Sequence, residues 1–418
     1  MMSEPPQLQE SLNTVNDDSL RFRWRALSDV LACYYLTLVP ILLGMLVSFT
    51  LLLPGRPIPY GENDFVLRFA AWDGGQFMQI MEHGYQYDPN KISNVAIFPG
   101  LPTLAKGVTI LTGCSAAVAL LLVSHFFLIL SFLLMHRYVC MRFPDQPALP
   151  GWTIIAFSLF PTTFFFRMAY SESMFFFFSL LTFYGMLRRW PIPLIAIIAG
   201  ACTGTRLVGV ALTVPLMMHI FHREKQTIDR AAQVAISLPI AVWGLVAFMF
   251  YQLQVFDDPF VFAKAQANFH LRPHVDLPDR LFQLFCGEPI WNTYISSSSA
   301  YWHTYSPEPS PWLNMQFSNP LYFLLAVMLL VTGWFKRALN QEEAIFTALL
   351  LAIPYFSRGY DFCMGSQARY VAGAFPLYIV WGAALKKLPL PIAGSLLGVW
   401  GFLLAMYTAL FGAWYFFV

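Results

Sequence analysis

The sequence predicts an all-α polytopic membrane protein, and three observations carry that prediction. Of its 418 residues 57% are hydrophobic and only 11% charged, with mean hydropathy +0.56, a balance suited to lipid rather than to a set of soluble domains. Apolar runs near the length needed to cross a bilayer recur along the whole chain. The basic residues gather in short clusters between those runs. A net charge of +2 is too small to argue for a nucleic-acid partner, and none is expected.

Taken in order, residues 1–30 are polar and then Arg-rich, with no short apolar core and cleavage site, and read as a cytoplasmic N-terminal tail. Residues 31–418 read as one transmembrane domain. A helix needs about 20 apolar residues to cross the hydrocarbon. On that ruler there are roughly eleven candidate crossings, near 31–53, 115–137, 151–168, 170–187, 191–203, 206–221, 231–255, 320–335, 342–357, 371–385 and 389–417. Residues 95–112 are ambiguous, because Pro99 and Pro102 interrupt the start of the run and Lys106 sits near its middle.

Charge resolves the ambiguity. Arg21, Arg23 and Arg25 hold the N-terminus in the cytoplasm, which puts loop 54–94 outside. If 95–112 is a re-entrant or surface helix, the clusters at His136/Arg137/Arg142, Arg188/Arg189, His222/Arg223/Lys225/Arg230, Lys336/Arg337 and Lys386/Lys387 all fall inside. Loop 54–94, the Tyr170–Ser173 turn, the Thr203–Arg206 turn, loop 256–319 and the segment 357–370 then share the outer face, where an active site at the membrane boundary is expected.

The polar residues of that face admit two readings each. Asp73, in Ala71-Trp72-Asp73-Gly74-Gly75-Gln76-Phe77, reads as an N-cap with Gln76 completing a capping box for a helix to about His83, or as a catalytic carboxylate. Glu172, between two serines, reads as a capping acid at a helix start, or as a group orienting Arg206. Arg206 and Arg369 each begin an expected helix and read as interfacial snorkels or Glu172 partners, or as charges kept for a ligand. Arg358 and Lys264 read as ordinary loop charges or as further charges of that kind. Phe164–Phe166 and Phe175–Phe178 read as lipid-facing packing. Trp291, Trp302 and Trp312 read as sugar-stacking or interfacial rings. No metal is expected, since His83, His270, His274 and His303 lack ligand spacing. The six cysteines show no disulfide framework, and only Cys286 and Cys363 are placed to meet outside the membrane.

The stretch from Trp72-Asp73 through Glu82-His83-Gly84-Tyr85 to Phe98-Pro99-Gly100-Leu101-Pro102 resembles the signature of the PIG-V-type mannosyltransferases, which add the second mannose in glycosylphosphatidylinositol anchor synthesis, and their bacterial relatives. Tyr170-Ser171-Glu172-Ser173, Thr205-Arg206-Leu207-Val208-Gly209 and Ser366-Gln367-Ala368-Arg369-Tyr370 resemble further elements of that family, and Phe262–Gln266 does so less specifically. The resemblance implies a GT-C glycosyltransferase fold with an outer-face active site. It implies Asp73 as the base in a catalytic first outer loop, substrate binding by loop 256–319, and supporting or acceptor roles for Trp72, Gln76, Glu82, His83, Tyr85, Glu172, Gln266 and Tyr370. The donor implied is a polyprenyl- or dolichyl-phosphate sugar, a co-substrate rather than a cofactor, from which a hexose, mannose first, passes to a glycolipid or glycan by single inverting displacement; its phosphate would be gripped in a two-pronged geometry by Arg206 and Arg369, with Arg358 and Lys264 as second choices. Further partners would be membrane lipid and a small membrane subunit. Gln76 stands where eukaryotic members commonly have His, and 88–94 is insertion-like, so acceptor specificity transfers least. The setting would be a bacterial inner membrane with a periplasmic site, or the endoplasmic reticulum membrane with a lumenal one. Glucosyl or arabinosyl transfer on the same fold, a transporter or lipid flippase with charges at the bilayer midplane and broken helices, and a non-catalytic subunit are the alternatives.

Overall fold

A computed structural model describes residues 27–52, 64–224, 226–304, 310–311 and 314–415. Arg21, Arg23, Arg25, Lys225, Trp312 and the first part of loop 54–94 lie outside the described residues. No strand occurs among the described residues, and this is an integral membrane protein built of helices. Each of the eleven apolar runs coincides with a helix or a broken helix: α1 (Leu27–Leu52), α4 (Ala116–Arg142), α5 (Leu149–Leu159), α6 (Glu172–Leu187), α7 (Ile192–Thr203), α8 (Thr213–Arg223), α9 (Thr227–Ala241), α10 (Trp243–Phe256), α12 (Met315–Phe335), α13 (Gln341–Arg358), α14 (Gln367–Gly373), α15 (Phe375–Leu385) and α16 (Leu390–Gly412). The longer helices that serve the loops are α2 (Asp73–His83), α3 (Gly100–Thr112) and α11 (Leu277–Phe285), beside the short turns of helix Val261–Lys264 and Glu288–Asn292.

The expectation of eleven continuous crossings changes in detail. Among the described residues α1, α4, α12 and α16 are long and apolar enough to cross alone, and the number reaches seven if each of three bent pairs is one span. The bends are 80° between α5 and the 3-10 turn Pro161–Arg167, 50° between α9 and α10, and 76° between α14 and α15. Proline explains all three. Pro161 opens the 3-10 turn, Pro239 sits three residues before the second break, and Pro376 lies two residues beyond Ala374 at the third, so each break has a missing backbone N–H within three residues of it. α3 has thirteen residues, about 20 Å at 1.5 Å per residue, well short of the hydrocarbon thickness. Its buried Leu101, Pro102 and Ala105 face α2 and α4 while Lys106 is exposed, as a surface or re-entrant helix requires.

The bundle has two chemically distinct ends. α6 begins at Glu172 and is capped by Arg188, α8 closes on His222 and Arg223, and α12 is capped by Lys336, while α13 leaves that basic end and finishes at Arg358. Between the ends lies an aromatic core. Phe164, Phe165, Phe166, Phe175 and Phe176 are buried in it, with Phe157 stacked on Phe176 at 4.5 Å; the lipid-facing reading of these phenylalanines is corrected, because rings that interlock with four helices gain more contact inside than against acyl chains. Small residues allow the closest approaches, as where Gly382 lies against Thr153 and joins α15 to α5.

Charge is also buried away from the loops, which the sequence did not lead us to expect. Arg167 donates to the Tyr34 carbonyl at 3.0 Å and Thr37 Oγ1 at 2.5 Å, and it lies 4.6 Å from the Tyr34 ring centre. Glu343 completes a capping box with Asn340 and accepts from Tyr138 Oη at 2.6 Å. Both groups are built into helix junctions. All six cysteines are free, Cys286 exposed and Cys363 buried, so the pairing considered for those two is not made.

Candidate active site

The site starts with a strained residue. Trp72 takes φ +59 ahead of α2, a backbone region that costs a non-glycine residue on the order of 1–3 kcal/mol. Its ring rests on Trp414, 5.3 Å between centroids. Trp72, not Asp73, is therefore the N-cap, and it makes no side-chain cap. This corrects the capping-box reading of Asp73 and Gln76. Asp73 is the first helical residue, and its carboxylate turns outward to an ion pair with Arg369 Nη1 at 2.5 Å. A neutral hydroxyl holds the backbone in place instead: Tyr170 Oη accepts from the Asp73 N–H and donates to the Ala71 carbonyl, each at 3.1 Å. Gly74 packs beside Tyr170, where a Cβ would lie 3.2 Å from that of Ala70.

Arg369 links this carboxylate to a second one. Its Nε donates to Glu172 Oε1, and Arg206 Nη1 donates to the same oxygen. The result is an alternating row, Asp73, Arg369, Glu172, Arg206, with two negative and two positive members. Glu172 is 2% exposed, whereas 45% of the Asp73 side chain faces solvent. Ser171 makes no side-chain cap at α6, so Glu172 acts through its arginines rather than as a capping acid. Arg369 lies over the Tyr170 ring at 4.5 Å and Arg206 over the Tyr370 ring at 5.1 Å, contacts that fix planar guanidinium groups. Arg206 precedes a 3-10 turn, as expected, but Arg369 is the third residue of α14 rather than its first.

Two cavities of about 500 and 470 Å³ meet at this row. Asp73, Arg369, Arg358, Gln266 and His270 line both. Arg206, Lys264, Arg280, Asp361 and Tyr370 face the first chamber, which also has an apolar stretch of wall made by Phe98, Phe262, Leu207, Ile353 and Pro354. Trp72 and Gln76 face the second, with Trp414, Asn319, Ser366, Ile92 and Ser93. Arg358 stacks 4.6 Å above Phe362 and has no carboxylate within ion-pair distance among the described residues. Lys264 is held by Asp258 at 2.5 Å, and the pair holds the Asp258 carboxyl below its usual range by a hydrogen bond from the lysine.

Three expected supporting residues stay outside. Glu82 and His83 are exposed at the far end of α2, about three turns from Asp73. Tyr85 packs on Phe248 and Tyr251 and donates to the Ile97 carbonyl at 2.9 Å, a structural task. Trp291 is exposed and Trp302 is buried against Phe317; neither lines a chamber. The contribution of loop 256–319 to the chambers comes from Phe262–Leu271, Arg280, Met315 and Asn319. Arg280 is a lining group that sequence reasoning passed over, since it sits in no motif, and His270 was weighed only as a metal ligand. Among the described residues, no three His, Cys, Asp or Glu side chains come together as a metal site.

The family model of mannosyltransferase (PIG-V) matches residues 60–303, more than half of the chain. The chain belongs to the PIG-V mannosyltransferase family. The match includes Asp73, Glu172 and Arg206, and the geometry adds Arg369 from beyond it. A human relative, GPI alpha-1,6-mannosyltransferase 2, is 31% identical over 182 residues, covering 40% of this chain and 35% of its own length. The match thus spans about a third of that relative. Among solved structures, the Archaeoglobus fulgidus oligosaccharyltransferase tethered with an acceptor peptide aligns with TM-score 0.41 and 12% identity over 91% of this chain and 55% of that one. Its complex with Zn and sulfate aligns at 0.40 and 12%, over 89% and 53%.

Proposed function

We propose that this PIG-V family member is an integral-membrane glycosyltransferase of the GT-C type that moves mannose from a polyprenyl- or dolichyl-phosphate carrier to a glycolipid or glycan hydroxyl on the extracytoplasmic side. The observation that carries the reading is Asp73: among the described residues it is the only carboxylate lining both chambers, and it is fixed yet half open to solvent. A base must reach both the acceptor hydroxyl and the sugar carbon it attacks.

In this mechanism the acceptor oxygen attacks C1 of the mannosyl phosphate while its proton passes to Asp73. The C1–O bond to phosphate breaks, its electron pair stays on the phosphate oxygen, and a β-linked donor gives an α-mannoside. The developing phosphate charge requires fixed cations. Arg206 and Arg369 are balanced by Asp73 and Glu172, which favours Arg358, standing at the junction of the chambers, as the principal phosphate ligand, with His270 and Lys264 at its flanks. The apolar wall of the first chamber suits the lipid-linked donor, and the aromatic and amide groups of the second suit a sugar acceptor. No metal or organic cofactor enters this scheme.

The test is transfer of labelled mannose from polyprenyl-phosphate mannose to a membrane lipid extract by wild type and Asp73→Asn. Asparagine keeps an oxygen for Arg369 and loses the base. We expect wild-type transfer, a loss of at least about 100-fold in the variant, and equal folded yields by size-exclusion chromatography. Equal rates would return Asp73 to a positioning role.

A further inference from the structure

α11 is nine residues long, Leu277-Pro278-Asp279-Arg280-Leu281-Phe282-Gln283-Leu284-Phe285, and presents three different faces. With successive side chains about 100° apart, Arg280 and Leu284 point to one side, Leu277, Leu281, Phe285 and Phe282 follow over an adjoining arc of about 140°, and Cys286 with Asp279 come next. The first face is anchored on the last turn of α13. Arg280 donates to the Ser357 carbonyl at 2.7 Å and pairs with Asp361 at 2.6 Å, and the Leu284 carbonyl accepts from Tyr355 Oη at 2.6 Å. The second face is bare. Leu277, Phe282 and Phe285 are 66%, 69% and 76% exposed.

Continuity identifies what covers it. The Phe285 ring lies 5.4 Å from that of Phe356, itself exposed on α13, a helix that carries its charges only in its end turns. The apolar face of α11 is therefore continuous with the exposed Phe356 of α13, and its acidic face turns away from it. A helix with protein, hydrocarbon and water on three successive sides lies in the plane of the membrane interface. Arg280 also lines the first chamber, beside Ile353, Pro354 and Ser357 of α13, so α11 forms the rim between that chamber and the lipid.

We propose that α11 is an interfacial helix whose Leu277, Leu281, Phe282 and Phe285 lie in the outer leaflet and form the surface over which the hydrocarbon chain of a lipid-borne substrate enters the first chamber. The location of the helix rests on its own contacts; the entry role rests on the lipid-phosphate donor proposed above. The first measurement uses full-length protein in phospholipid nanodiscs, with nitroxides at Phe282→Cys, Leu281→Cys and Asp279→Cys in a background without the native cysteines. Dissolved oxygen is expected to relax the labels at 281 and 282 more than a water-soluble nickel chelate does, with the reverse at 279. Preferential access of the chelate at 282 would overturn the interfacial location. The second measurement compares Phe282→Ser/Phe285→Ser with wild type on a long-chain lipid-phosphate mannose and a short, water-soluble one. The KM for the long donor is expected to rise about tenfold and that for the short one to stay within about twofold; equal rises would overturn the entry role. Accessibility is read without substrate, so failure of the chain to use either donor would count against the proposed function and leave the location of α11 decided.

Discussion

Arginines at this site divide by what they already hold. Arg369 and Arg206 are committed to Glu172, and Arg369 to Asp73 as well, so their charge is spent inside the protein, where breaking a buried pair is costly. Arg358 has the Phe362 ring and the Tyr370 hydroxyl for neighbours, no carboxylate among the described residues, and both chambers in front of it. Lysine at that position would keep the charge but lose the two-pronged grip, a difference of one charge-assisted hydrogen bond, about 1.5–3 kcal/mol. Arg358→Lys is therefore expected to raise KM for the lipid-phosphate donor by roughly 10- to 100-fold with kcat changed much less, measured from initial rates at varied donor; an unchanged KM would remove Arg358 from the phosphate site. Asp73 stood out in the sequence as a lone acid between an aromatic and two glycines, a pattern that fits a helix cap as well as a base, and only the family resemblance implied the base. Its partner was not legible there, since nothing in a local pattern ties residue 73 to residue 369. The positive φ of Trp72, Ser366 and Trp414 around the second chamber was equally hidden, because these residue types do not advertise the left-handed region as glycine does.

At the level of elements, the motifs read along the chain turn out to be docking partners. Gly100, in Phe98-Pro99-Gly100-Leu101-Pro102, opens α3 and donates its N–H to the Gly204 carbonyl at 2.9 Å, directly before Thr205-Arg206. A Cβ there would meet that carbonyl oxygen at 2.9 Å and Thr205 Cα at 3.2 Å, and backbone on both sides leaves no flexible group to yield. Gly100→Ala is expected to cost about 1–3 kcal/mol as overpacking and to lower the transfer rate by displacing Arg206, checked by thermal unfolding in detergent alongside the activity assay. The apolar runs made the helices easy to locate, because lipid demands a long uninterrupted signal. The breaks were less legible: Pro161, Pro239 and Pro376 were visible, but whether a proline kinks a helix or divides it depends on which neighbours satisfy the freed carbonyls. The insertion-like 88–94 was read as a departure and proves to be part of the wall, as Asn268 Nδ2 donates to the Lys91 carbonyl and Ile92 and Ser93 line the second chamber.

For the whole molecule, the decisive pattern is the separation of two kinds of charge by the length of the bundle. Asp73, Glu172, Arg206, Arg358 and Arg369 gather at one end in compensated or stacked positions, while Arg188/Arg189, Arg223, Lys336/Arg337 and Lys386/Lys387 close helices at the other, mostly exposed. Exposed lysines and arginines at short connections are the signal that retains a loop in the cytoplasm, so the site end is expected on the opposite side, where a lipid-linked sugar would be met. The chain carries its own reporter, because Cys286 is exposed at the end of α11, on the face that the proposed interfacial placement directs away from the bilayer. A membrane-impermeant maleimide applied to intact cells is expected to label Cys286 with no permeabilisation and to lose that label in Cys286→Ser. A cysteine placed by Arg189→Cys is expected to react only after the membrane is opened. The reverse pattern would put Asp73 and both chambers on the cytoplasmic side, and the donor would then have to present its sugar there, which would replace the extracytoplasmic reading of the whole enzyme with its mirror image.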